Sequence, residues 1–263
     1  MLRKLLKYDI ENIYKLLVIF YIISLFLACL TRFFLSIDNS FIMSVVGKVC
    51  SGATIAMIFN IIINNVIKLW VRFKNNFYND EAYLTHTLPV LKQTLYLSKF
   101  LTSIITLFTS VLVICFSLFI AYYSKENILL VKDLLLPLAT VYDSKIVLII
   151  VMGVFVLFLE IMNMLQAGYT GIILGYMQNS NKFLCSVIFG CIAYSITQLF
   201  TLVLMFLVAL FNKDIMNLFF TADALNISTI KFCIYLAIGI YALNILILYF
   251  VNSKLFNKGV NVD

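Results

Sequence analysis

Residue types able to do chemistry are few in this chain, and their spacing excludes most of what they could do. The one histidine, His86, lies in a polar stretch between apolar runs, so no imidazole stands within an apolar run as a base or a metal ligand. Gly47-Lys48 is followed by Val49 and lacks the earlier glycine of a phosphate-binding loop. The chain is therefore not expected to hydrolyse ATP by that route. There is no G-x-S-G sequence, and no two carboxylates share an apolar run. Of the six cysteines, Cys29, Cys115, Cys185 and Cys191 lie inside apolar runs, with Cys50 and Cys233 near the ends of others. None has a C-x-x-C partner, so they read as small apolar fillers. No catalytic residue, metal ligand or cofactor site is expected.

What remains is a set of polar residues inside apolar runs. Glu160 is the one carboxylate deep in such a run. Glu160, Asn163, Ala167, Thr170, Gly171 and Gly175 share one helical face. A charged group there must pair, take a proton or face water. Two roles stay open: the polar wall of a translocation path or proton site, or a helix seam in which the carboxyl bonds to a neighbouring Asn or Tyr. The small-xxx-small row of Ala167, Gly171 and Gly175 favours the seam. Gly52, Ala56, Asn60 and Asn64 recur at four-residue steps with Asn65 beside them, and Tyr194, Gln198 and Thr201 share a later run. Both sets admit the same two roles.

The elements that must position these residues follow from composition. Of 263 residues, 63% are hydrophobic and 12% charged, against roughly a quarter charged in soluble domains. This excludes a soluble enzyme, a disordered chain and a disulfide-stapled secreted domain. It leaves an all-α polytopic membrane protein, read as one transmembrane domain over 1–263. Spans are expected at about 16–36, 50–70, 100–122, 146–170, 183–210 and 230–251. Residues 1–15 are too charged to span. Leu2, Leu5, Leu6, Ile10 and Ile13 share one face and Arg3, Lys4, Lys7, Glu11 and Lys15 the other, with only Asp9 misplaced. That pattern predicts an amphipathic helix lying in the interface. With the N-terminus inside, 12 of the 19 Lys and Arg fall on the inner side and 7 on the outer. Both termini are therefore expected to be cytoplasmic. The net charge of +7 follows this asymmetry and forms no continuous basic stripe, so no nucleic-acid partner is expected. No internal repeat is visible.

The longest inner loop, 71–99, is expected to fold as two short surface helices. Asn79 or Asp80 would cap the first, Asp80 and Glu81 would suit its dipole, and Leu88 before Pro89 would end it. Pro89 would then open the second, which carries Lys92 and Lys99 into the third span. Outside, Ile128–Leu138 would rest on the interface, and 214–228 would form short helices capping the outer mouth.

In this loop, Asn79-Asp80-Glu81-Ala82-Tyr83-Leu84-Thr85-His86-Thr87-Leu88-Pro89-Val90, followed by Leu97-Ser98-Lys99, resembles the loop of bacterial ABC transporter permeases of the type-2 exporter class. Members commonly read DEGYLT-x-TLPV there, with LSK entering the third span. Leu6-Lys7-Tyr8-Asp9 resembles the family's opening. The likeness covers the whole chain in layout and about 20 residues in motif, with Ala82 where many members have glycine. It implies a multi-pass subunit of the bacterial plasma membrane that pairs with a second permease copy or a related subunit, amid membrane lipid. A separate cytoplasmic ABC ATPase would grip the loop through Asp80, Glu81, Tyr83, Leu84, Thr85, His86, Leu88 and Pro89. The polar set Asn60, Asn64, Glu160, Asn163 and Gln198 would then line the translocation path or form a seam. The cargo implied is a peptide, lipid or drug, including self-protection against antimicrobial peptides. A non-transporting ABC-associated sensor or immunity protein is the alternative.

Overall fold

The computed structural model describes residues 2–37, 41–79, 81–142, 145–179, 181–211, 216 and 227–258. They form α1 (Leu2–Leu35), α2 (Phe41–Tyr78), α3 (Ala82–Thr87), α4 (Lys92–Tyr122), α5 (Lys125–Tyr142), α6 (Ile146–Tyr176), α7 (Lys182–Ala209) and α8 (Ile227–Asn257). No strand occurs among the described residues. Six helices are long and apolar enough to cross a membrane: α1, α2, α4, α6, α7 and residues 232–257 of α8. The chain is an all-helical, multi-pass membrane protein. Its contacts divide it into two compact units, Met1–Leu129 and Leu130–Asp263.

In the first unit α1 packs on α2 and α4. Its buried residues Asp9, Ile13, Leu17, Tyr21, Ser24, Ala28 and Thr31 recur every three or four positions and make a single stripe. The stripe on α4 is small and hydroxylated: Thr102, Ser103, Thr106, Ser110 and Ser117 are all buried. Lipid is as apolar as a leucine side chain, so oily surface alone does not drive spans together. Small residues that allow close approach and hydroxyls that bond across do. Tyr14 pairs with Thr109 at 2.7 Å, Tyr21 with Ser110 at 2.7 Å and Ser24 with Ser117 at 3.0 Å. Thr31 joins Thr54 of α2 at 2.9 Å. Paired residues climb together on α1 and α4, so these two run parallel, and α2 runs against both.

Four sequence expectations change here. Residues 1–15 are not a separate helix: α1 is one helix of 34 residues, roughly 51 Å long against about 30 Å of hydrocarbon. The buried stripe continues through Asp9 and Ile13, which holds this end against α2 and α4. The loop expected over 71–99 is also shorter than that range. α2 continues to Tyr78 because Phe73, Asn76 and Phe77 are buried, with Phe73 edge-on to Tyr96 of α4 at 6.2 Å. The loop's second helix starts at Lys92, not at Pro89. Leu88 and Leu91 both have extended backbone, with ψ at 136°, so the proline sits in a bend between them. In the segment expected outside, α5 fills most of 123–145 as a helix with Pro137 inside it. Most of 214–228 lies outside the described residues.

In the second unit α6 packs on α7 and α8, and α7 packs on α8. Ala167, Ala193 and Leu248 meet in its apolar core. A Cβ built on Gly171 would lie 2.5 Å from the Ser186 carbonyl oxygen and as close to the Gly190 Cα, and one on Gly175 would strike the backbone of Ser186. Only hydrogen side chains on α6 permit this approach to α7. Gly171→Val is therefore expected to destabilise the protein by about 1–3 kcal/mol, because backbone cannot give way as a side-chain tip can. Gly52→Ala, with nothing within 4 Å of its Cβ in a helix interior, is expected to keep or raise stability, by up to about 1 kcal/mol. Thermal scanning of both variants in detergent checks the contrast.

Candidate functional site

A four-charge cluster closes one end of the first unit. Asp9 of α1 is 3% exposed and Lys99 of α4 is 7% exposed. The Lys99 Nζ donates to Asp9 Oδ1 at 2.6 Å and to Oδ2 at 2.7 Å. Arg72 of α2 donates through Nε to Asp9 Oδ1 at 3.3 Å and through Nη1 to Glu81 Oε1 at 2.8 Å. Asn76 Nδ2 adds a contact to Asp9 Oδ1 at 3.4 Å. Lys99 also stands 5.5 Å from the centre of the Phe77 ring, facing its negative π-cloud. Two cations balance two anions. The buried charges are thus paired and hydrogen-bonded, as their removal from water demands.

This cluster determines where the loop motif sits. Glu81 is the N-cap residue of α3, but its side chain makes no cap bond. It reaches Arg72 instead, as an ion pair to the bundle. Asp80 itself lies outside the described residues. Ala82 is fully buried at the first turn, in helical backbone that an alanine adopts without strain. His86 Nε2 lies 3.2 Å from the Phe77 carbonyl oxygen, which can only accept, so this nitrogen is the donor. Thr85 and Thr87 bond back to the carbonyls of Glu81 and Leu84. The outward residues are Tyr83 at 77%, Leu84 at 68% and Leu88 at 41% exposure, with Pro89 exposed beside them. Of the eight expected loop residues, Glu81 and His86 anchor the loop, Thr85 bonds within α3, and Tyr83, Leu84, Leu88 and Pro89 are displayed.

The polar residues expected along a path or seam separate as well. Asn60 and Asn64 bond to each other and Asn64 also to the Asn60 carbonyl, all within α2. Their neighbour Asn65 is the one that crosses. It is fully buried and donates to the Thr106 carbonyl at 3.0 Å and to Ser110 Oγ at 2.7 Å. In the second unit Glu160 Oε1 accepts from Tyr194 at 2.6 Å and Gln198 Nε2 at 2.9 Å. Asn163 Nδ2 donates to Thr197 at 3.3 Å. Thr201 accepts from Asn244 at 2.9 Å. Asn252 bonds to Gln166 and Thr170. Glu160, Asn163 and Gln198 therefore come together, whereas Asn60 and Asn64 belong to the other unit.

Sequence reasoning missed Asp9, Arg72 and Lys99 as one group, and Asn65, Asn244 and Asn252 as the crossing amides. A signal for the first existed: Asp9 is the one charge on the apolar face of the first helix. Comparisons with protein-family models, curated proteins and solved structures find no match to this chain.

The cluster predicts a specific mutational pattern. Asp9→Leu leaves Lys99 buried without its partner and is expected to cost about 3–5 kcal/mol, as is Lys99→Met. The double variant removes both charges and is expected to be more stable than either single one. Midpoints of thermal unfolding in detergent for the three variants and the parent check this order.

Proposed function

We propose that the chain is the membrane-spanning permease subunit of an ATP-driven ABC exporter of the type-2 class. One observation carries the reading: the loop motif displays Tyr83 and Leu84 at the end of a bundle while Glu81 ties the same short helix to Arg72. An apolar pair on an element with ionic anchors is what a soluble motor subunit needs in order to grip and push. The wording of the motif from Asn79 to Val90, and the layout of six spanning helices, support the same reading.

On this reading both termini and the loop face the bacterial cytoplasm, as the excess of Lys and Arg on that side requires. The basic start of α1, with Arg3, Lys4, Lys7 and Lys15, then stands among anionic headgroups. A cytoplasmic ATPase subunit seats α3, and a second permease copy or related subunit completes the transporter. Closure of the ATPases displaces α3. Arg72 passes that displacement to α2 and, through Asp9 and Lys99, to α1 and α4. Packed helices then rock as rigid elements and do not bend. The cargo class is a peptide, lipid or drug, with protection against antimicrobial peptides as one use.

Leu84→Asp tests this reading with little risk to the fold, since Leu84 is exposed. The variant is expected to insert and unfold like the parent, yet to lose capture of the cognate ATPase and ATP-dependent export by tenfold or more. Co-purification and transport into sealed vesicles read this out. Parental capture and export by Leu84→Asp would remove α3 as the coupling element. Capture without any transport would instead favour a sensor or immunity protein.

A further inference from the structure

Two buried oxygens one helical turn apart on α6 have no donor among the described residues: Glu160 Oε2 and Asn163 Oδ1. Their orientation is fixed by their neighbours. The Tyr194 hydroxyl and Gln198 Nε2 both donate to Glu160 Oε1. Tyr241 of α8 is a third hydrogen-bonding neighbour of the same carboxylate, yet Oε2 itself has no partner within hydrogen-bond reach among the described residues. Turning over the Asn163 amide does not help. The Thr197 hydroxyl spends its hydrogen on the Tyr194 carbonyl at 2.7 Å, so it can only accept from Asn163. Nδ2 must face it, and Oδ1 is left over. Asn163 is fully buried.

Charge adds a second, independent argument. Along α6 the nearest cation to Glu160 is Lys145, 15 residues or about 22 Å of helix away. Lys182 lies 12 residues before Tyr194, about 18 Å, Lys231 lies 10 residues before Tyr241, about 15 Å, and Lys254 lies 13 residues after it, about 20 Å. A carboxylate within an apolar span, with Oε2 unpartnered and no described cation closer than about 15 Å along its own and the neighbouring helices, is stabilised by positive charge from elsewhere. The donor set indicates what kind. It holds one carboxylate plus neutral amide and hydroxyl oxygens. No group of three His, Cys, Asp or Glu able to hold a metal ion occurs among the described residues. Divalent ions take more acidic ligands than this.

We propose that Glu160 and Asn163, backed by Tyr194, Gln198 and Tyr241, form a binding site for a singly charged cationic group. The same chemistry has two sources, an inorganic alkali cation or the protonated amine of a larger molecule. The site goes beyond the exporter reading and does not need it, because binding is measured on the purified chain without an ATPase. The full-length protein in detergent is compared at equal ionic strength in sodium, potassium, methylammonium and choline chloride, choline being a quaternary cation with no N–H to donate to these oxygens.

Saturable stabilisation over choline is expected, about 3 °C in Tm at tenfold excess over Kd. Sodium or potassium producing it identifies an inorganic ion; methylammonium alone producing it identifies an amine. Glu160→Gln is expected to abolish the shift and Asn163→Ala to weaken the apparent affinity by about tenfold. If either variant fails to fold, retention of sodium-22 or rubidium-86 by the parent, displaced by the unlabelled salts, decides in its place. Equal Tm in all four salts with no retained tracer means that water or a proton occupies these oxygens, and overturns the proposal. A shift that survives intact in Glu160→Gln overturns it too.

Discussion

The pairing of Asp9 with Lys99 is the constraint on which the first unit depends. Neither side chain has water to turn to at 3% and 7% exposure, so each is tolerable only while the other is within 2.7 Å. That requirement fixes α1 against α4. Arg72 then has one place where it can neutralise Asp9 and still reach Glu81, which fixes α2 and the loop helix α3 together. The pairs differ in strength. The Asp9–Lys99 contact is buried and breaking it is costly. The Glu81 side chain is 45% exposed, so its pair with Arg72 contributes about 0–1 kcal/mol. A strong inner pair with a weak outer one leaves α3 seated but open to displacement, which suits an element pushed by a partner.

The second unit is held differently. Glycine contacts and amide and hydroxyl bonds hold its helices. Gly171 and Gly175 set the distance between α6 and α7, and the crossing bonds from Asn163, Asn244 and Asn252 add direction to that contact. Such bonds are worth only about 0.6 kcal/mol each on average within membranes, so close backbone packing carries much of the association. Glu160 stands apart in this unit, as a charge the packing does not require and its neighbours only half satisfy.

Much of this was legible in the sequence, for reasons particular residues make plain. The six apolar runs gave the spanning helices because 63% hydrophobic content leaves little else. Ala167, Gly171 and Gly175 pointed to a close contact because their spacing of four puts all three on one face. Helix ends were less legible. Residues 1–15 looked like a surface helix from their own amphipathicity, yet Asp9 finds partners 60 and more positions away and Ile13 is fully buried, and no local pattern encodes that. The same holds for Phe73 and Phe77, whose burial extends α2 past its expected end. Asn60 and Asn64 looked equivalent to Asn65 because side-chain type is all the sequence displays. Which amide crosses to α4 depends on helix rotation by one residue, about 100°.

The central claim is that the buried charge cluster seats α3 on the bundle. Hydrogen–deuterium exchange of the purified protein tests it most directly, read over residues 81–88 and 92–99 in the parent and in Asp9→Asn. The account predicts slow exchange of both segments in the parent, and faster exchange of both together when Asp9 loses its charge. Fast exchange of 81–88 in the parent, or an Asp9→Asn variant in which neither segment changes, would contradict it.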